Sequence, residues 1–178
     1  MNWDAIGAIG ELLGSTAVLV TLIAILFQMR QSAKMERAAA QRDVLDRVTQ
    51  FTKGLNETDR NDSFLLTLHD YNAAPTGARL SAESHLFEFA FVTESALNMH
   101  RDGFFSDGTW AGIEGVMLGM LRTPGGAVWW QHARLMLGFE IALHLDRRLT
   151  EIDPATPTYL EISRGSRDRL AELLNKAS

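Results

Sequence analysis

Apolar and polar residues follow one another along this chain in two different ways. From Leu12 to Met29 no charged residue occurs. At about 1.5 Å rise per residue that stretch covers about 27 Å as a helix, close to the ~30 Å hydrocarbon core of a bilayer. From residue 31 onward the pattern turns amphipathic. Over 31–55 Ala40, Val44, Val48, Phe51 and Leu55 fall on one stripe, and no proline separates this helix from the apolar run. "SFLLTLHDY" places Phe64, Leu65, Leu68 and Tyr71 on a second apolar face, and "NAAPTGARLS" reads as a loop. Ser81 predicts an N-cap for a helix over about 82–101 that buries Leu86, Phe89, Ala90, Thr93 and Leu97. A helix near 109–122 carries Trp110, Ile113, Val116, Met117, Met120 and Leu121, and "TPGG" stops it. One long helix is expected over about 126–148, ending on Arg147 and Arg148 where the helix dipole favours cations. "DPATPTYLEIS" then leads as a linker into a short helix around 166–176 with Leu170, Leu173 and Leu174 apolar.

These elements predict an all-α protein: one N-terminal transmembrane helix followed by a cytoplasmic bundle of four to five helices. The expected domains are an anchor over 1–29, a bundle over 30–150, and a linker with a short C-terminal helix over 151–178. A cleaved signal peptide should open with positive charge and close on an A-x-A-like site, whereas this chain opens "MNWD" and runs into "QMRQSAK". A soluble core helix is seldom apolar around its whole circumference for so long. Arg30, Lys34, Arg37 and Arg42 follow the run and Asp4 precedes it. The positive-inside rule therefore puts the N-terminus outside and the rest in the cytoplasm, with Trp3 at the outer boundary. Later helices are not expected to cross, because 109–121 is too short and 127–145 contains His132, Arg134, Glu140 and His144.

The span is not uniform. At 100° per residue Gly7, Gly10, Glu11, Gly14, Ser15, Val18, Thr21, Ile25 and Gln28 fall within an arc of about 140°, opposite Leu12, Leu13, Leu19, Val20, Ile23, Leu26 and Phe27. "GELLG" is a G-x-x-x-G, and small residues on one face let helix backbones approach closely. Glu11 and Gln28 on the same side favour packing against protein, since intramembrane carboxylates usually face partners or water. The other reading of Glu11 is a carboxylate near the headgroups that reaches outward.

Charge and composition narrow the partners. The first 29 residues hold only Asp4 and Glu11, residues 30–50 hold five bases against three acids, and 51–178 twelve against seventeen. A mildly acidic body without a basic stripe argues against nucleic acid, because phosphate binding needs clustered Lys and Arg. With no cysteine, disulfides, thiolate catalysis and Cys-based metal sites are excluded.

Candidate chemistry is sparse. Glu-x-x-His, the spacing of a di-iron bundle, is absent at every glutamate. Glu140 and His144 stand at i and i+4, as do metal ligands on a helix, but that spacing more often forms a surface pair or a satisfied core histidine. His85 with Glu88 is a similar, weaker pair. No G-x-S-x-G, Walker loop or Rossmann fingerprint occurs. Gly108, Gly112, Gly115 and Gly119 recur within one helix and read as close helix packing. Trp129, Trp130 and His132 of "WWQH" could line a pocket or anchor the core. No metal and no cofactor is expected.

"NWDAIGAIGELLG" followed by "LVTLIAILFQMRQ", and later "GGAVWWQHARLMLGFE", resembles a group of uncharacterised bacterial membrane proteins with an N-terminal span and a helical C-terminal region. The likeness is strong over the span and loose over the tryptophan helix. It implies a bacterial inner-membrane protein and transfers no activity.

The expected function is that of a single-span, non-enzymatic scaffold or interaction subunit. Its partners would be the lipid bilayer and, through the stripe of Gly7, Gly10, Glu11, Gly14, Ser15, Val18, Thr21 and Gln28, further copies of itself or a larger membrane complex. Two alternatives stay open. One is a small oligomeric channel with a ring of Glu11 carboxylates. The other is a membrane-tethered enzyme or ligand sensor with a pocket near Trp129, Trp130 and His132.

Overall fold

The computed structural model describes the backbone of residues 3–177 and the side chains of 10–176. All regular structure among the described residues is helical. In chain order the helices are α1 (Trp3–Gly54), α2 (Thr58–His69), α3 (Thr76–Arg101), α4 (Asp107–Leu121), α5 (Pro124–Ala133), α6 (Phe139–Glu151), α7 (Tyr159–Ile162) and α8 (Arg164–Ala177). The chain divides into two compact units, residues 1–40 and 41–178.

The first unit lies within α1. Every described residue from Gly10 to Ala39 is exposed, and its apolar stretch is the one helix among the described residues long and apolar enough to cross a membrane. Trp3, Asp4 and Gly7 lie outside the residues whose side chains are described.

The second unit, the body, is built around side chains that are almost wholly buried. Phe64, Leu65 and Leu68 come from α2, Leu86 and Phe89 from α3, Met117 and Met120 from α4, Trp129 from α5, and Ile141 and Leu145 from α6. Residues 41–54 add Val44 and Phe51, the latter with its ring 4.6 Å from that of Phe89. The 3.6-residue periodicity accounts for this core. The five positions expected to be buried on α3 are buried, as are those on α4 except Val116, which is 40% exposed.

Three boundaries depart from the sequence pattern. Helix α3 starts at Thr76, not near 82, because Pro75 caps it and its carbonyl accepts from the Arg79 amide at 2.9 Å. The long helix expected over 126–148 is broken. Helix α5 ends at Ala133 in tight turns, with the Leu135 and Met136 amides reaching back three residues, and Gly138 caps α6 in extended conformation. A Cβ at Gly138 would fall on the Glu94 carboxylate of α3. The break has a consequence: Trp130 Nε1 donates to Asp146 at 2.8 Å. An unbroken helix would hold those two residues about 24 Å apart.

The third departure is the short helix α7 inside the segment expected to be a linker; the C-terminal segment docks on the body. Leu160 and Leu170 are buried, Tyr159 meets Phe64 edge to face at 5.7 Å, and Arg169 grips Asp62 in two hydrogen bonds of 2.7 and 2.6 Å.

Candidate interaction surfaces and a buried polar site

In residues 10–40 the described members of the expected stripe are exposed, while Gly7 lies outside the described side chains. Gly10 and Gly14 have open space where a Cβ would stand. The hydroxyls turn inward: Ser15 and Thr16 donate to the Leu12 carbonyl at 3.0 and 2.8 Å, and Thr21 to that of Ala17 at 2.8 Å. A hydroxyl satisfied by its own helix no longer needs water. Glu11, Val18, Ile25 and Gln28 are exposed, and Glu11 meets no partner among the described residues.

The aromatic pocket does not form where "WWQH" would put it. Trp129 and Trp130 are 2% and 3% exposed, and His132 faces solvent. Trp129 packs edge to face on Phe87 at 5.1 Å. Trp130 fixes Asp146, whose second oxygen accepts from Arg134 at 2.8 Å. The indoles therefore anchor the α5–α6 junction.

The buried polar site of the body is elsewhere. Glu114, 5% exposed on α4, accepts from two residues of α6. His144 Nε2 lies 2.6 Å from Glu114 Oε1; Arg148 Nε lies 3.0 Å from the same oxygen and Nη2 3.3 Å from Oε2. A carboxylate taken out of water is tolerated only with such partners. Hydrogen bonds to Glu114, and then to Glu151, hold the Arg148 guanidinium more firmly protonated than usual. Trp110 stacks with His100 at 5.8 Å and meets His144 edge to face at 5.5 Å, and His100 in turn binds Asp107 at 2.9 Å. The i, i+4 pair of Glu140 and His144 is thus split: His144 goes to Glu114, while Glu140 binds Arg101 at 2.7 Å. None of these residues lines the clefts described below. A carboxylate, an imidazole and a guanidinium that satisfy one another tie α4 to α6.

Two clefts in the body have apolar walls. One, of about 450 Å³, runs along the small face of α4 past Gly112, Gly115, Val116, Tyr159 and Ile162. Arg122 closes its end by donating to the carbonyls of Thr156 and Pro154 at 2.6 and 2.9 Å. Of the four α4 glycines only Gly119 makes a close approach, to the Tyr159 backbone; Gly108, Gly112 and Gly115 face open space, so close packing does not explain them. The other cleft, of about 500 Å³, lies between Leu135, Leu137, Phe139 and Leu143.

Sequence reasoning missed Glu114 although the signal resembled that of Glu11: one carboxylate within an apolar helix. What could not be read was its partners, 30 and 34 residues further along.

No family model, no curated protein and no solved structure matches this chain.

Proposed function

We propose that the protein is a single-span membrane protein that acts as an interaction subunit, associating with copies of itself or with a larger membrane complex through the Gly/Glu stripe of α1. The observation that carries this reading is the stripe itself. Over Gly10–Gln28 the helix is apolar, exposed on all sides, open at both described glycines and internally satisfied at its hydroxyls. Apolar surface of that extent is stable only when lipid or protein covers it. In lipid, small residues let a second helix approach closely. A bacterial inner membrane, with the N-terminus outside and the body in the cytoplasm, follows from the resemblance of the span and from the basic residues after Met29.

The test is Gly14→Leu, which raises hydrophobicity while placing a bulky side chain where backbones would meet. The particle extracted in mild detergent should fall in mass, although insertion is preserved. An unchanged mass would mean that the stripe faces lipid.

Glu11, which meets no partner among the described residues, supports one second reading, a ring of carboxylates at the mouth of an oligomeric pore. Glu11→Gln separates the two: a scaffold tolerates it, whereas a pore loses its cation preference.

A further inference from the structure

We propose that the corner between α5 and α6 is a docking patch for an anionic bilayer surface, a proposal that rests on the single-span reading. Four large side chains stand out there: Leu135 at 79%, Met136 at 71%, Phe139 at 76% and Leu143 at 56% exposure. Together they present on the order of 600 Å², short of the roughly 800 Å² per partner of a stable protein interface. Side chains of this kind are stabilised when they enter the boundary between headgroups and acyl chains.

The direction of the chain selects lipid. Within the body, α3 runs antiparallel to residues 41–54: Gly54 lies beside His85, Phe51 beside Phe89, and Asp43 shares a cleft with Glu88 and Val92. The C-terminal half of α3 is therefore at the edge of the body that holds residue 41. The α5–α6 corner is fastened to that half, Gly138 against Glu94 and Glu140 to Arg101. Only residues 30–40 separate that edge from the apolar run ending at Met29.

Charge agrees with this occupant. Arg30, Lys34, Arg37 and Arg42 are concentrated in and beside that connection, and anionic headgroups attract such bases. Of the carboxylates at the corner, Glu140 and Asp146 are each bound by an arginine, whereas Glu94, which lies against Gly138, meets no arginine among the described residues. Chain direction and apolar side chains thus meet at the edge of the body that holds residue 41.

The chain has no cysteine, so single cysteines can carry a fluorophore without background. The full-length protein would be labelled in turn at Met136→Cys, at Val20→Cys in the span, and at Ala171→Cys on α8, which packs on α2 and α7. Each is reconstituted in vesicles of phosphatidylcholine and phosphatidylglycerol and quenched by nitroxide lipids or by aqueous iodide. Lipid quenching at 136 should exceed that at 171 several-fold, and Phe139→Ser with Leu143→Ser should bring it to the level of 171 while the helical spectrum is retained. Lipid quenching at 20 with iodide quenching at 136 equal to that at 171 would overturn the docking patch and leave the span intact. Absence of lipid quenching at 20 would remove the span and the patch together. Protection at 136 from both quenchers, growing with protein density in the vesicle, would assign the patch to a second copy and overturn lipid as its occupant.

Discussion

Residues 10–40 and the body 41–178 use the same residue types to opposite ends. Each has a glutamate within an apolar helix, and each has glycines spaced along one face. In the body Glu114 is covered and held by His144 and Arg148, and Gly125 and Gly126 sit where neighbouring backbone leaves no room for a Cβ. In residues 10–40 Glu11 meets no partner among the described residues, and Gly10 and Gly14 border open space. The comparison teaches that a lone carboxylate in an apolar helix marks a contact surface without saying whose, while a row of glycines does not by itself mark one: Gly108, Gly112 and Gly115 of the body border open space as Gly10 and Gly14 do. The body supplies the contacts of Glu114, Gly125 and Gly126 itself; residues 10–40 supply none to Glu11, Gly10 or Gly14 among the described residues.

Glycine gives the largest test of that contrast. A Cβ at Gly125 would fall on the Thr67 carbonyl and press on Leu68, so Gly125→Ala must push α5 off α2. Overpacking against backbone should destabilise the body by about 3 kcal/mol, read as a lower urea midpoint in the helical signal. Gly14→Ala should leave that midpoint unchanged. Equal midpoints for the two variants would erase the distinction between filled and open glycine faces.

The carboxylates come next. Glu114→Ala leaves His144 and Arg148 without their shared acceptor. Breaking a fully buried pair costs about 3–5 kcal/mol, but the Arg148 side chain is 36% exposed and keeps Glu151, so about 2 kcal/mol is expected here. Glu114→Gln should lose less, since the amide oxygen still accepts. Glu11→Gln should not shift the unfolding midpoint of the body at all. A midpoint for Glu114→Ala within error of the parent would show the cluster to be too solvated to matter.

How much of this was legible follows from the range of each decision. The buried face of α3 was readable because Leu86, Phe89, Ala90, Thr93 and Leu97 repeat with the helical period, a local property. The break after Ala133 was not, because Leu135 and Met136 are good helix formers and fit the period. The chain turns there through tight turns after Ala133 and through Gly138, where a Cβ would fall on the Glu94 carboxylate of α3, a partner more than 40 residues away. The same holds for the tryptophans. "WWQH" announces aromatic area, but only the turn back to Asp146 shows that both indoles are anchors. Conversely, the exposure of Gly10, Glu11, Gly14, Val18 and Gln28 depends on one helix alone and needs no distant partner to be read.

The smallest expected effect isolates the body by a signal that residues 1–40 cannot contribute. Both tyrosines of the chain, Tyr71 and Tyr159, lie in the body. The hydrogen bond to Glu83 raises the Tyr71 hydroxyl above its usual 10.0, and burial raises that of Tyr159. A phenol is neutral when protonated, so a raised folded pKa means that the folded chain keeps a proton the unfolded chain has given up. That stability is fully present below the unfolded value of about 10 and is lost as pH rises through the folded value. Tyrosinate absorbance should therefore lag the ordinary phenol curve for both residues in native buffer and return to it in urea. Tyr71→Phe should remove one of the two lagging steps, and removal of residues 1–40 should leave both in place. If a tyrosinate forms at or below pH 10.0 in the native protein, the Glu83 bond or the packing of Tyr159 is not made in solution. If the curve shifts when residues 1–40 are removed, the two units are not independent and the comparison drawn above fails.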